Sequence, residues 1–277
     1  MNTAYEKMIN DLAPRKFSWR GNVWVALLVL IILTGIYSYV QQLKHGLVIT
    51  GMRDYALWGI YISNFVFFVA VSLVGSLITA ILRLSDVHWS TPLTRIAEII
   101  AVAAIIMAGI AIIIDMGRPD RVLNLFIHGR LQSPIIWDVI VISTYLVLSI
   151  LFLYFPLLPD FTILSKYSDT NSKLTKWYRA LSLNWSGSEK QTKIYSRSIK
   201  VISVLIIPVA FAIHTVTAWL FETTYRPGWD STNFGPYFVA GAFVAGSGAV
   251  VMVMYVLRKV YQLEDYITDS HFDKMGK

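Results

Sequence analysis

The sequence predicts an all-α polytopic membrane protein of about six transmembrane helices, arranged as a first four-helix bundle plus part of a second. Three observations predict it. Of the 277 residues, 56% are hydrophobic and 15% charged, against roughly 25% charged in an average soluble domain. The charges are also segregated, leaving six charge-free runs that meet or approach the roughly 20 apolar residues needed to cross a bilayer core. Finally, the basic residues concentrate in alternate connections, as they do when charge sets the orientation of insertion.

The elements follow in order. Residues 1–20 form a cytoplasmic N-terminal segment carrying Glu6, Lys7, Asp11, Arg15, Lys16 and Arg20. No small-residue cleavage site follows the first apolar run, which predicts a retained helix in place of a cleaved signal peptide. Residues 21–158 hold four spans, over Gly21–Leu43, Tyr55–Leu82, Ile99–Ile114 and Val139–Leu158. The third is short unless Glu98 sits at its cytoplasmic end with Ile96 and Ala97 inside the helix. Residues 159–200 read as a cytoplasmic loop. Within it Leu174, Trp177 and Leu181 share one helical face while Lys173, Lys176 and Arg179 reach toward headgroups, so it holds either a short interfacial helix or a solvated stretch with scattered aromatics. Residues 201–257 hold two more spans, Val201–Phe221 and Ser231–Leu257, and residues 258–277 are a charged cytoplasmic tail. Pro208 is expected to bend the fifth span about two turns before His214. Ala240, Gly241, Ala245, Gly246, Gly248 and Ala249 let the sixth pack closely on a neighbour.

With the N-terminus inside, 18 of the 24 Lys and Arg lie on inner segments. Lys44, Arg53, Arg118, Arg121, Arg130 and Arg226 remain outside. The expected setting is a bacterial inner (plasma) membrane with both termini cytoplasmic. The net charge of +7 then belongs to the inner membrane surface and not to a nucleic-acid partner.

The chain has no cysteine, so it offers neither a disulfide nor thiolate ligands for an iron–sulfur cluster. His214 is the one histidine inside a predicted span, while His45, His88, His128 and His271 fall in loops or the tail. A bis-histidine haem lacks its second ligand. The expectation is no haem and no iron–sulfur cluster in this chain, any such cofactor belonging to a partner.

Polar segments collect on the outer side: Met52 to Trp58, Asp115 to Arg121, Ser133 to Asp138, and Arg226 to Asp230. Asp138 opens the fourth span, where withdrawal from water suits a proton donor or acceptor. The structural alternative is a helix cap or a salt bridge to an outer arginine. His214 lies eight residues before Glu222, about 12 Å below the outer end of its helix. It can bond a ligand oxygen, pass a proton, or tie two helices together. Asn64, ten residues after Asp54, is expected about 15 Å deep as a buried amide in need of partners. Asp115, Arg118, Asp120 and Arg121 are either part of this site or a turn with exposed ion pairs, its bend made by Gly117 and Pro119.

At these segments the chain resembles the NrfD/PsrC family, the quinone-interacting membrane subunits of polysulfide-reductase-like complexes and of alternative complex III. The resemblance is carried by Gly59 to Phe68, Asp115 to Arg121, Ser133 to Asp138, Ile207 to Val216, and Pro227 to Trp229 followed by Gly235 to Ala242. It implies a subunit that exchanges electrons between membrane quinone, menaquinone or ubiquinone, and an iron–sulfur ferredoxin-like subunit at the outer face. Molybdopterin-type or multihaem cytochrome c subunits and other membrane subunits would complete the complex. Asp138 and His214 are then the candidate catalytic residues, with Trp58, Asn64, Asp115, Arg118 and Trp137 as candidate quinone contacts. The chain departs from the pattern twice. Many relatives resembling alternative complex III carry His-Ala-Gly where this chain has Leu73-Val74-Gly75, and family members continue into further helices beyond Leu263 to Thr268. Two other function classes compete: a proton or ion translocating protein, and a membrane anchor without chemistry of its own. Against the first, no charged residue sits near the middle of a predicted span.

Overall fold

The computed structural model describes residues 18–53, 58–167, 173–224 and 226–276. Most of the N-terminal segment, Asp54 to Leu57 of the first outer segment, and Tyr225 lie outside them. The described fold is all-helical: α1 (Trp19–His45), α2 (Ile60–Leu84), α3 (Thr91–Asp115), α4 (Pro134–Tyr167), α5 (Lys173–Leu181), α6 (Glu189–Glu222), α7 (Phe234–Val260) and α8 (Asp269–Gly276), with a single helical turn at Asn124–Ile127. Six of these, all but α5 and α8, are long and apolar enough to cross a membrane. The chain is therefore an integral membrane protein.

The axis of the bundle is α2, which packs against α3, α6 and α7, while α4 packs against α6 and α3. Two glycines explain how closely they approach. A Cβ on Gly75 would lie 2.7 Å from the Ala97 carbonyl oxygen of α3, and one on Gly246 of α7 would lie 2.7 Å from the Ala70 carbonyl oxygen of α2. The expected small-residue packing of the sixth span is thus made by Gly246, while Gly241 and Gly248 have nothing within 4 Å. Phe65, Val69, Leu73, Leu77, Ile105, Tyr145, Ile206 and Ile213 fill the core. Leu73, where the family resemblance led to the expectation of a histidine, is fully buried there.

Buried hydroxyls bond helices α2, α3 and α4 together. Tyr145 of α4 donates to the Ser72 carbonyl oxygen at 2.7 Å and lies 2.8 Å from the Ser76 hydroxyl, while Ser72 Oγ donates to the Ala101 carbonyl oxygen at 2.7 Å. In a bilayer such groups have no water to turn to, so pairing them internally fixes the register of the helices.

By contrast α1 stands apart. None of its most apolar stretch is buried, against 67% for α2. Its attachment is polar: Gln42 donates to the Ile114 carbonyl oxygen at 2.7 Å and accepts from the Tyr61 hydroxyl at 3.0 Å.

The 159–200 segment is more helical than the charge pattern suggests. Helix α4 continues through Pro156 and Pro159 to Tyr167, and α6 already begins at Glu189, capped by Ser188. A charge-free run marks only the part of a helix inside the hydrocarbon, and these helices continue into the headgroup layer where charges are solvated. Between them α5 takes the helical reading. Tyr178 stacks on Phe161 and Tyr154 donates to the Leu181 carbonyl oxygen, leaving Leu174 and Trp177 exposed as an apolar face.

The bundle has two ends. One gathers the start of α2, the end of α3, the start of α4 and the α6–α7 connection. The other gathers the α2–α3 turn, the later part of α4 and the start of α6.

Candidate functional site

At the first end, three helices and the residue leading into α2 bring two buried polar groups and a run of aromatic rings to one region. Asp138 is the fifth residue of α4 and is 3% exposed. The Thr217 hydroxyl of α6 donates to its Oδ1 at 2.6 Å. His214, three residues before Thr217 and so on the same face of α6, is fully buried, and neither ring nitrogen has a hydrogen-bond partner. Its ring lies 5.4 Å from that of Phe238 on α7.

From Phe238 the rings continue outward. Phe221 lies 5.8 Å from Phe238, Trp58 lies 4.9 Å edge-on from Phe221, and Trp229 stacks 5.9 Å from Trp58. Arg226 caps the cluster, its guanidinium 5.8 Å from the Trp229 ring. On the other side of α6 a groove of about 660 Å³ opens between α6 and α7, lined by Thr215, Trp219, Glu222, Pro236, Val239 and Phe243. A carboxyl with one hydroxyl donor and an imidazole with both nitrogens free can together accept a proton and bond a ligand oxygen.

The remaining sequence-predicted residues divide. Trp58 joins the aromatic cluster. Asp115 closes α3 at this end, half-buried, with Oδ1 withdrawn from water and unpartnered. Arg118 makes a two-pronged pair with Asp120, at 3.0 and 2.8 Å, and both side chains are exposed. That pair holds the Asp120 carboxyl below its ordinary range, chiefly through the hydrogen bond. Trp137 is turned outward, donating its indole N–H to the Leu131 carbonyl oxygen. Asn64 contradicts its expectation: it is the fifth residue of α2, about 6 Å from the helix start, and is exposed on the bundle surface. A count from Asp54 overstates its depth because α2 begins only at Ile60, and its helical phase points it away from the core face of Phe65 and Val69.

Two features escape the sequence pattern. Thr217 carries no signal alone; only its spacing from His214 points to it. The second is at the opposite end, where Glu98 is the eighth residue of α3 and 1% exposed, with Ile96 and Ala97 inside the helix as the third span requires. Its Oε1 lies 2.6 Å from Arg83 Nη1, and the Arg83 guanidinium also covers the Phe152 ring at 4.8 Å. A charged pair therefore lies toward the Arg83 end of these helices, next to last in α2 and a third of the way into α3, so the middle of each span is still without a charge.

Fold and site define a class: a helical integral membrane protein with buried polar groups near one end and no cysteine to ligate a metal. Within that class the chain belongs to the NrfD family, whose model, described as polysulphide reductase, NrfD, matches residues 48–272. It is 30% identical over 238 residues, 86% of its length, to a protein of Halobacterium salinarum named as a membrane subunit of a dimethyl sulfoxide reductase, of which it covers 52%. It is 21% identical to a selenate reductase subunit of Mesobacillus selenatarsenatis over 84% of the chain and 56% of that protein. With the Hdr-like menaquinol oxidoreductase integral membrane subunit of Archaeoglobus fulgidus it shares 22% identity over 89% of the chain and 61% of that protein. The chain thus spans between half and two thirds of the length of these relatives.

Proposed function

We propose that the chain is the quinone-handling integral membrane subunit of a respiratory oxidoreductase complex. It exchanges electrons between a membrane quinone, menaquinone or ubiquinone, and an iron–sulfur subunit docked on the Asp138 end of the bundle. A molybdopterin-type or multihaem cytochrome c subunit stands beyond that iron–sulfur protein. The observation that carries the reading is His214, fully buried with both nitrogens unpartnered. Leaving a buried polar group unpaired costs about 1–3 kcal/mol, and a ligand oxygen removes that cost. The menaquinol named for the Archaeoglobus relative fits the same chemistry.

Quinol oxidation releases two electrons and two protons. Here His214 bonds the ring oxygen, and Asp138, closer to the end of the bundle, accepts the two protons one after the other and delivers each to water, while the two electrons pass singly to the iron–sulfur subunit. Thr217 holds the carboxylate in place, and the wall of Trp58, Phe221, Trp229 and Phe238 keeps bulk water from the ring. The basic-residue bias supports reading this as the outer end.

Asp138→Asn keeps the shape and removes the titrating group. In an assembled complex, quinol turnover should fall by about 100-fold or more, the scale of general acid–base catalysis. Full turnover would remove Asp138 from the mechanism. The orientation is tested separately. Lys173→Cys, in a chain with no other cysteine, should be labelled only from the cytoplasmic side, and labelling from outside would reverse the assignment of the ends.

A further inference from the structure

At the opposite end of the bundle a cavity of about 300 Å³ opens between the α2–α3 turn, α4 and the first turns of α6. Three cations line it, Arg83, Arg95 and Lys200, against one carboxylate, Asp86. Hydroxyl donors from Thr91, Tyr195 and Ser196 stand around them. Neither arginine is spent. Arg95 Nη2 meets the Pro156 carbonyl oxygen at 2.6 Å and Asp160 at 3.1 Å, yet its Nη1 is buried with no hydrogen-bond partner. Arg83 gives one nitrogen to Glu98, which lies behind the cavity wall.

The approach is basic as well. Lys190, Lys193, Arg197 and Lys200 recur at three- and four-residue spacing along the first turns of α6, one continuous stripe on a helix. This stripe leads to the cavity, whose remaining wall includes apolar Leu82, Val87 and Ile199.

We infer that this cavity binds the phosphate of an anionic phospholipid at the cytoplasmic surface of the membrane. The inference rests on the orientation argued above and not on the quinone chemistry. A planar guanidinium presents paired donors that match phosphate oxygens, and basic pockets between transmembrane helices on the cytoplasmic side suit anionic headgroups. Free phosphate presents the same anion but makes no use of the apolar wall, which meets the glycerol and upper acyl chains of a lipid. Bound there, the lipid joins α2, α3, α4 and α6 through one headgroup.

The test is native mass spectrometry of the intact purified complex titrated with dioleoylphosphatidylglycerol, with dioleoylphosphatidylcholine as the zwitterionic control. One phosphatidylglycerol should be retained in clear preference to phosphatidylcholine. Arg95→Gln, which removes one cation, should weaken that retention about fivefold. Ser196→Glu, which adds a negative charge without removing any ion pair, should weaken it at least as much. Neither should change quinol turnover. If Arg95→Gln disturbs assembly, Ser196→Glu alone decides. Equal retention of the two lipids, or phosphatidylglycerol retention unchanged in Ser196→Glu, would overturn the inference. Displacement of the lipid by an equal concentration of inorganic phosphate would also overturn it, giving the cavity to a free anion. A fully active Asp138→Asn complex would leave it untouched.

Discussion

The two ends of the bundle bury polar groups in opposite ways. At the Glu98 end the buried carboxylate meets a buried guanidinium at 2.6 Å, and the guanidinium also rests on an aromatic face. Charge answers charge within the protein. At the Asp138 end the carboxylate has a single hydroxyl partner, and His214 has none. Both carboxylates are buried alike, at 1% and 3% exposed, so burial alone does not separate a structural polar group from a functional one. What separates them is whether the protein itself supplies an opposite charge.

That contrast can be broken at either end. The largest expected effect on stability is at the Glu98 end. Arg83→Ala strands a carboxylate inside the bundle and should destabilise it by about 3–5 kcal/mol, read as lost yield and a lowered melting temperature in detergent. The double change Arg83→Met with Glu98→Leu should recover most of that loss. If it does not, the pair does more than hold the helices together, and the proton-translocating class regains its case. A smaller effect is expected in the aromatic wall. Trp58→Leu gives up ring contacts with Phe221 and Trp229 worth about 0.5–1.5 kcal/mol each, and the melting temperature should fall accordingly. The smallest is expected on the surface of α2, where Asn64→Ala should change stability by no more than about 0.5 kcal/mol and leave quinol turnover intact. A large loss of turnover there would return Asn64 to the site.

Much of this fold was legible in the charge spacing, because a bilayer penalises unpaired charge so heavily that charge-free runs and spans nearly coincide. The mismatches have the same origin. Glu98 ends its charge-free run yet lies inside α3, because Arg83, 15 residues earlier on another helix, neutralises it. Helices α4 and α6 outlast their apolar runs because nothing forces a helix to stop where the hydrocarbon does. The site was partly legible. Asp138 and His214 stand out as ionisable groups in apolar surroundings, but the Thr217 hydroxyl that holds Asp138 comes from 79 positions along the chain. Asn64 fails for a reason of phase: where an amide points depends on the start of its helix, and Gly59 with Ile60 sets that start later than the charges imply.

The central claim is that the nitrogens of His214 are held free for a quinone. His214→Leu fills the same space without a polar group, so the quinone-free complex should melt at the same temperature or higher. Wild-type complex should gain melting temperature when a quinone analogue is added, as any ligand of the folded state confers, and the variant should lose that gain. A variant that melts well below wild type and keeps the full quinone-induced gain would show that His214 ties helices together and takes no part in binding.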